Sequence, residues 1–379
     1  MTRSTTLSVI AAVILTIALQ GCSPASSPTQ EVRRSTAEAS TATLAGPFIG
    51  NSAEPFGTYD GVPFVRHTGF FEGETSLGAF RMPYEIVAPE NPELGNGTVL
   101  VEPPHFQTGT VGRDVVLGRD LVFRTVSGYA TVGFGENGRN ILDLGASDLL
   151  LAGEPVEKPG VIKPTGIVDE EILIQFAQEL KTAPSMQEFL GEVDQLYAYG
   201  LSQSADALME SQRNLAQRAE QGPFDLTLLH TATWNPQVPP DIAADFDLLG
   251  NEFEPLDGVG KVIFIETEGD LLISDAEQFR EAAGETNYRL YEVAGADHSP
   301  LETNPLDHSA VARALFVAGD RWVRSGTEPP PSTLIEPAAP GEVDPVYGEE
   351  TGIARDGDLN ALGGVRLPDL AVGRAPFIA

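Results

Sequence analysis

The stretch GEVDQLYAYGLSQSADALMES, residues 191–211, predicts both the fold and the position of a reactive site. The apolar run from Val193 to Tyr199 is typical of a buried strand, and a helical pattern follows the segment GLSQS directly. A strand that turns tightly into a helix, with a serine at the apex, is the context of a nucleophile elbow. Such an elbow needs small residues two positions before and after its serine, Ser202. Gly200 and Ser204 are both small, although Ser204 stands where the usual motif has glycine.

The rest of the chain alternates between strand-like and helix-like segments. Lys261 to Ile265 is an apolar, β-branched run of the kind found in buried parallel strands. Strands that alternate with helices of about 10–15 residues predict an α/β fold, with a mostly parallel sheet and helices on both faces. Further strands are predicted at 64–65, 70–71, 84–87, 98–101, 130–134, 226–229 and 288–293, and helices at 119–124, 169–183, 205–219, 274–283 and 311–322. In such sheets, ligands bind at the carboxyl ends of the strands.

A serine hydroxyl becomes a good nucleophile only when a histidine accepts its proton and an acid orients that histidine. His298 is the best candidate base, because it follows the last predicted strand in a glycine-bearing loop and precedes the last helix. His308 is the alternative, but its position at a helix start suggests a solvated side chain. His230 is expected to line a pocket or to be a satisfied structural histidine.

The acid should follow the strand that precedes the histidine, since the order on such folds is serine, acid, histidine. The segment IFIETEGDLL, residues 263–272, offers three carboxylates. Glu266 lies at the end of the strand, which is early for this role. Asp270, a few residues into the loop, is favoured, and Glu268 remains the alternative acid.

Acyl transfer also requires hydrogen-bond donors for the oxyanion that develops on the substrate. The backbone N–H of Gln203, next to the nucleophile, is one expected donor. The second should come from the loop after an early strand, which here contains Pro104, His105 and Phe106. Which amide of that loop faces the site stays open between His105 and Phe106.

Composition excludes some classes of function. Fifty-five acidic residues against 23 basic ones give a formal net charge of -32. This charge would repel nucleic acid and gives no broad electrostatic attraction to anionic lipid. No H-E-x-x-H motif or paired histidine spacing occurs, so we expect neither a metal ion nor another cofactor.

The N-terminus predicts export and lipid anchoring. A basic start is followed by an apolar run from Leu7 to Leu19, which is shorter than the roughly 20 residues that span a bilayer and fits a signal peptide. The run ends in LQGC, residues 19–22, which resembles a bacterial lipobox, and Cys22 is the chain's single cysteine. We therefore expect a lipoprotein signal peptide at 1–21, a diacylated Cys22, a flexible Ser/Thr/Ala-rich tether at 22–46 and one domain at 47–379. The protein would be held to a membrane by lipid in the bacterial cell envelope, outside the cytoplasm.

The C-terminal part of the chain, residues 327–372, is predicted to form a strap across the surface of that domain. Residues 327–348 are rich in proline and glutamate and are expected to be extended and exposed. The final segment GIARDGDLNALGGVRLPDLAV, residues 352–372, has no helix caps and is expected to cross the domain surface.

Five segments together carry a family resemblance: GLSQS before a helix, IETEGD after a strand, EVAGADHS, RWVRSGTEPPPS, and the tail IARDGDLNALGGVRLPDL. They resemble a family of exported bacterial proteins called the α/β-hydrolase domain family. The resemblance implies an α/β-hydrolase fold and esterase-like chemistry, with Ser202 as nucleophile, His298 as base and Asp270 or Glu268 as acid. The predicted function is a serine hydrolase that acts on a small-molecule carboxylic ester through an acyl-enzyme. The alternative is a non-catalytic envelope lipoprotein that keeps the fold for binding.

Overall fold

The computed structural model describes 47–75, 78–104, 111–133, 150–151, 154–155, 166–202, 221–232, 260–272, 276–298 and 306–371, with 204–205, 208–209, 211–212 and 215. The predicted signal peptide, the lipidation site Cys22 and the tether lie outside these residues. So do three predicted oxyanion-hole residues, Gln203, His105 and Phe106.

Three long antiparallel strands form one side of a nine-stranded sheet. These are β1 (Phe48–Tyr59), β2 (Val62–Thr75) and β3 (Gly78–Pro89). Asp60 and Gly61 join β1 to β2, and both have positive φ angles, 50° and 81°, as a tight hairpin turn requires. The sequence predicted only the apolar pairs 64–65 and 70–71 within β2. The whole strand is longer because most of its other side chains are polar, small or partly exposed and give no apolar signal.

The other six strands are parallel and occupy the rest of the sheet. They are β4 (Thr98–Val101), β5 (Gly128–Val132), β8 (Gln195–Leu201), β9 (Leu226–His230), β10 (Lys261–Thr267) and β11 (Tyr288–Val293). The spatial order is β1-β2-β3-β5-β4-β8-β9-β10-β11, and β3 pairs antiparallel with β5. A separate short pair consists of β6 (Leu150–Leu151) and β7 (Glu154–Pro155). The prediction of a mostly parallel sheet is therefore correct for the half that contains the elbow.

Helices cover both faces of this sheet. They are α1 (Arg119–Thr125), α2 (Gly166–Thr182), α3 (Pro184–Leu190), α4 (Glu268–Leu271), α5 (Ala276–Glu281), α6 (Ser309–Ser325) and α7 (Pro368–Ala371). Short helical turns occur at Pro92–Leu94, Arg113–Leu117 and Ala282–Gly284. Because neighbouring strand residues point to opposite faces, Val99 packs in one core with Phe176 of α2, and Leu100 packs in the other with Phe316 of α6. In the described part of the chain, no helix is long and apolar enough to cross a membrane.

The C-terminal strap pairs with the edge strand of the sheet. Thr333 N–H donates to Leu290 O (2.9 Å) and Val365 N–H donates to Glu292 O (2.7 Å), so two extended stretches cover β11. The prediction that 327–348 is exposed is wrong in part, since Ile335 and Asp344 are buried. The edge of β11 offers unpaired backbone groups, and pairing with them draws the strap inward.

Candidate active site

Ser202 occupies the strained turn that the sequence predicted. It follows β8 directly and has a φ angle of 55°, in the left-handed region that non-glycine residues rarely adopt. Its N–H donates to His230 O at 2.8 Å, and Ala205 N–H donates to Ser202 O at 2.8 Å. A Cβ atom at Gly200 would lie 2.6 Å from the Ala205 backbone, which explains the glycine. Ser204 fills the second small position with a function of its own, because its Oγ hydrogen-bonds Leu201 O (2.9 Å) and Leu201 N (2.8 Å).

The structure brings Ser202, His298 and Asp270 into one hydrogen-bonded chain. His298 Nε2 lies 2.9 Å from Ser202 Oγ, and His298 Nδ1 lies 2.6 Å from Asp270 Oδ1. The three side chains come from the carboxyl ends of β8, β10 and β11, which converge at one edge of the sheet. Asp270 is fully buried, whereas 37% of the His298 side chain is exposed. The acid is thus shielded from water, while the imidazole stays accessible from solvent.

The environment of Asp270 favours its charged form. Burial alone would raise the pKa of its carboxyl, but the positive charge that His298 can carry and the hydrogen bond from His298 hold the pKa below its usual value. The hydrogen bond from Thr267, whose Oγ1 lies 2.6 Å from Asp270 Oδ2, acts in the same direction. The short helix α4 begins at this point because Thr267 caps it, accepting the Asp270 N–H. A charged Asp270 is the form that orients an imidazole and stabilises an imidazolium.

Glu268, the alternative acid, lies in a different environment. Its Oε1 accepts a hydrogen bond from Arg355 Nη1 at 2.8 Å, and its Oε2 accepts the Gly295 N–H at 2.6 Å. Both Glu268 and Arg355 are almost completely buried. The third carboxylate, Glu266, lies within β10, where its Oε1 accepts the Thr267 N–H at 3.2 Å. Of the three candidates, Asp270 is the one whose carboxylate bonds the His298 ring.

The expectation that His308 is solvated is wrong. Its side chain is fully buried, because the start of α6 turns into the core and the His308 ring packs on the ring of His230, with centroids 5.0 Å apart. His230 is also fully buried, and its Nδ1 lies 2.7 Å from Tyr199 Oη. The expectation of a satisfied structural histidine is thus met at Nδ1 only, because His230 Nε2 has no hydrogen-bond partner among the described residues.

Glu102 is a buried carboxylate at the same edge of the sheet that the sequence did not single out. It follows β4 directly and accepts the N–H groups of Gly112 and Arg113 and the hydroxyl of Tyr129. Burial raises the pKa of Glu102 to about 7, against the lowering effect of these donors and of the Arg113 charge. The signal that could have found it is its position, the first residue after a buried parallel strand. Glu102 ties the end of β4 to the start of the helical turn at 113–117.

Within the described ranges, no three His, Cys, Asp or Glu side chains lie close enough together to hold a metal ion. No curated protein matches the chain.

The chain is similar to several solved structures at low identity. Brefeldin A esterase, described as a bacterial homologue of human hormone sensitive lipase, is 11% identical over 69% of this chain and 75% of its own, with a TM-score of 0.41. Esterase Est22 is 13% identical over 69% of this chain and 81% of its own, with a TM-score of 0.42. An S-formylglutathione hydrolase from Agrobacterium tumefaciens is 10% identical over 71% of this chain and 97% of its own, with a TM-score of 0.42.

The family comparison covers most of the chain. The family model described as "Alpha/beta hydrolase domain" matches residues 79–303 and 300–378, which include every described strand from β4 to β11, the three hydrogen-bonded side chains and the strap. The match confirms the predicted fold class and the resemblance drawn from the five segments. This chain therefore belongs to the alpha/beta hydrolase domain family.

Proposed function

We propose that the protein is a serine hydrolase that cleaves carboxylic esters through an acyl-enzyme on Ser202. The observation that carries the proposal is the continuous chain from Ser202 Oγ to His298 Nε2 (2.9 Å) and from His298 Nδ1 to Asp270 Oδ1 (2.6 Å). Both distances lie within the reach required for proton transfer and for orientation of the ring. The left-handed backbone of Ser202 adds support, because a strained φ angle persists only where the surrounding structure enforces it.

In the first half of the reaction, Ser202 Oγ attacks the ester carbonyl carbon while His298 Nε2 accepts the hydroxyl proton. The resulting tetrahedral intermediate carries a negative charge on the former carbonyl oxygen, and the imidazolium of His298 is stabilised by the charged Asp270. Collapse of the intermediate breaks the carbon–oxygen bond to the leaving alcohol. His298 returns the proton to that oxygen, so the alcohol leaves neutral and the acyl group stays on Ser202.

In the second half, water takes the place of the alcohol. His298 accepts a proton from water as the oxygen attacks the acyl carbon, and the second tetrahedral intermediate expels Ser202 Oγ. The proton then returns to the serine, and the product is a carboxylic acid. For both intermediates we assign the Gln203 N–H as one oxyanion donor, from its position after the nucleophile, and an amide of His105 or Phe106 as the other.

The test is hydrolysis of p-nitrophenyl esters of graded acyl length by the purified protein. Ser202→Ala should lower kcat by on the order of 10⁶-fold, because it removes the atom that forms the acyl bond. Ser211→Ala is the matched control, since it also removes a buried serine hydroxyl from the helical residues after the elbow. The control should keep normal turnover. The proposal fails if the folded protein hydrolyses no ester above background, or if Ser202→Ala retains activity.

We also propose, from the sequence alone, that Cys22 anchors the protein to a membrane of the bacterial envelope through attached lipid. The support is the apolar run of 7–19 followed by LQGC. Cys22→Ser should give an unlipidated precursor, visible by intact mass and by loss of labelling with a palmitate analogue. Labelling that persists in Cys22→Ser would contradict the assignment.

A further inference from the structure

Two buried histidines that take no part in the proposed reaction lie next to it. His230 is the last residue of β9 and is in register with Leu201 of β8, one residue before the nucleophile. His308 caps the start of α6, ten residues after His298. Both side chains are fully buried, and their rings meet edge to face with centroids 5.0 Å apart and an interplanar angle of 60°.

His230 is bonded twice to the strand that presents the nucleophile. Its carbonyl oxygen accepts the Ser202 N–H at 2.8 Å, and its Nδ1 lies 2.7 Å from the hydroxyl of Tyr199, three residues before Ser202. A Cβ atom at Gly112 would come within 2.1 Å of the Tyr199 ring, so Tyr199 is also closely packed against Gly112. The position of His230 therefore fixes the turn in which Ser202 lies.

His308 is bonded to the element that follows the base. Its carbonyl oxygen accepts the N–H of Val311 at 2.9 Å and of Ala312 at 3.4 Å, which makes it part of the first turn of α6. The contact between the two rings thus connects the end of β9 with the start of α6. One end of this connection lies beside Ser202, and the other lies ten residues after His298 in the chain.

The surroundings of the pair suit neutral rings. Three ring nitrogens have no hydrogen-bond partner among the described residues: Nδ1 and Nε2 of His308, and Nε2 of His230. A proton added to either ring would create a buried charge without an acceptor, which is costly. Burial lowers the pKa of His308, and the charge of His298 lowers it further. The negative charges of Asp270, Asp307 and Asp297 raise this pKa, but they do not outweigh burial. Burial, then the charges of His308 and His298, hold the pKa of His230 well below its usual value.

We propose that His230 and His308 are positioning residues for the reaction of Ser202 with His298, and that they fulfil this role only as neutral imidazoles. The inference rests on the proposed function. A proton on either ring would place a cation without an acceptor in the core, and this cation would repel the imidazolium that forms on His298 during catalysis. Displacement of the charged ring would release the Ser202 turn from the start of α6.

The expected pH dependence follows from the direction of the pKa changes. The folded-state pKa of each ring lies below the ordinary value of 6.5, so the unfolded chain binds protons first as the pH falls through 6.5. The folded arrangement therefore loses stability below that pH. As the pH falls, the plot of log kcat against pH should first show a slope of about one, from protonation of His298. The slope should then increase toward two or more as His230 and His308 are forced to protonate.

The experiment measures kcat and KM of the full chain with one p-nitrophenyl ester from pH 5 to pH 8, for the wild type, His308→Phe, His308→Ala and His67→Phe. His308→Phe keeps an aromatic ring without a titrating nitrogen. It should keep kcat at pH 8 within a few-fold of the wild type, because the ring contact with His230 remains. Its acid limb should return to a slope of about one. His308→Ala removes the ring and should lower kcat at pH 8 by about 10- to 100-fold with KM little changed, because a small displacement of reacting groups costs this much.

His67→Phe is the matched control. His67 is a partly buried histidine with a lowered pKa, packed on Phe189, and it lies on β2, four strands from β8 across the sheet. Its profile should overlay that of the wild type. A wild-type slope of one throughout would overturn the proposal, and so would a His308→Phe profile identical to that of His67→Phe. If His308→Phe does not fold, His308→Gln takes its place with the same criteria.

A second readout does not depend on turnover. Proton–carbon NMR spectra of the full chain, labelled at the histidine rings and assigned by the same variants, give the protonation state of each imidazole. His230 and His308 should be neutral at pH 6, and their protonation should shift the His298 resonance in the same step. Either ring being charged at pH 7 would overturn the inference. If His230 and His308 titrate as expected but the protein hydrolyses no ester, only the proposed function is contradicted.

Discussion

Asp270 and Glu268 are two carboxylates on the same four-residue helix, α4, two positions apart, and both side chains are fully buried. Their partners differ completely. Asp270 bonds an imidazole that is partly open to solvent, whereas Glu268 bonds the guanidinium of Arg355, which is itself buried and also bonds Asp344. From the strand-end position alone, either carboxylate could orient the histidine.

For Asp270 and Glu268, the hydrogen-bond partner, rather than position or burial, determines which role each carboxylate can have. The charge of a guanidinium is permanent, so Arg355 neutralises Glu268 in every state of the protein. In the proposed reaction the His298 imidazole gains its charge only in the course of turnover, so the charge of Asp270 remains available to stabilise it at that moment. Glu268 instead connects the strap to the His298 loop, since its second oxygen holds the Gly295 N–H.

The largest effect should separate the two carboxylates by turnover. Asp270→Asn should lower kcat by about 10⁴-fold, because an amide stabilises the wrong tautomer of His298 and cannot balance the imidazolium. Glu268→Gln should leave most of the activity, because its partner takes no part in the reaction. Each substitution exchanges one carboxylate oxygen for an amide nitrogen and keeps the size of the side chain, so kcat with the same ester compares them directly. Equal losses, or a larger loss in Glu268→Gln, would break the distinction.

The second effect concerns stability. Arg355→Met should lower the free energy of unfolding by about 3–5 kcal/mol, because it leaves Glu268 and Asp344 as buried charges without their cation. Arg366→Met is the matched control, since Arg366 pairs with Asp356 on the same strap at a partly exposed site and should cost about 1 kcal/mol or less. Urea denaturation measures both. A small loss in Arg355→Met would mean that the Glu268 environment tolerates an unpaired charge, contrary to this account.

The smallest effect concerns the support of Asp270. Thr267→Val removes the hydroxyl that bonds Asp270 Oδ2 at 2.6 Å and keeps the shape of the side chain. Loss of a hydrogen bond to a charged group costs about 1.5–3 kcal/mol, so kcat should fall by roughly ten- to a hundredfold. KM should stay close to normal, because the Thr267 side chain is fully buried and its hydroxyl contacts Asp270. A normal kcat in Thr267→Val would show that Asp270 needs no support beyond His298.

Ser202, His298 and Asp270 could be placed together from the sequence because each follows a strand with a clear apolar signal. Parallel strands bring their carboxyl ends to one edge, so the order of the three residues carries three-dimensional information. The same local logic favoured Asp270 but left Glu268 open as the alternative, since the partner of Glu268, Arg355, lies 87 positions away in a segment without helical or strand periodicity.

The burial of His308 was missed for a similar reason. A histidine at a helix start looks solvated in one dimension, and only the packing of α6 on the sheet brings it against His230. The long strands β2 and β3 were predicted only in part and β1 not at all, because many of their side chains are polar, small or partly exposed and no continuous apolar run marks them. Local pattern thus predicted where strands end, and long-range packing decided which side chains meet there.

Labelling with a fluorophosphonate probe tests the central claim most directly, because the probe reacts with a serine whose hydroxyl is activated by a neighbouring base. The full chain should gain one phosphonyl group, located by peptide mapping on Ser202, and both Ser202→Ala and His298→Ala should remain unlabelled. A folded wild-type protein that gains no label, or a label that persists in Ser202→Ala, would contradict the account.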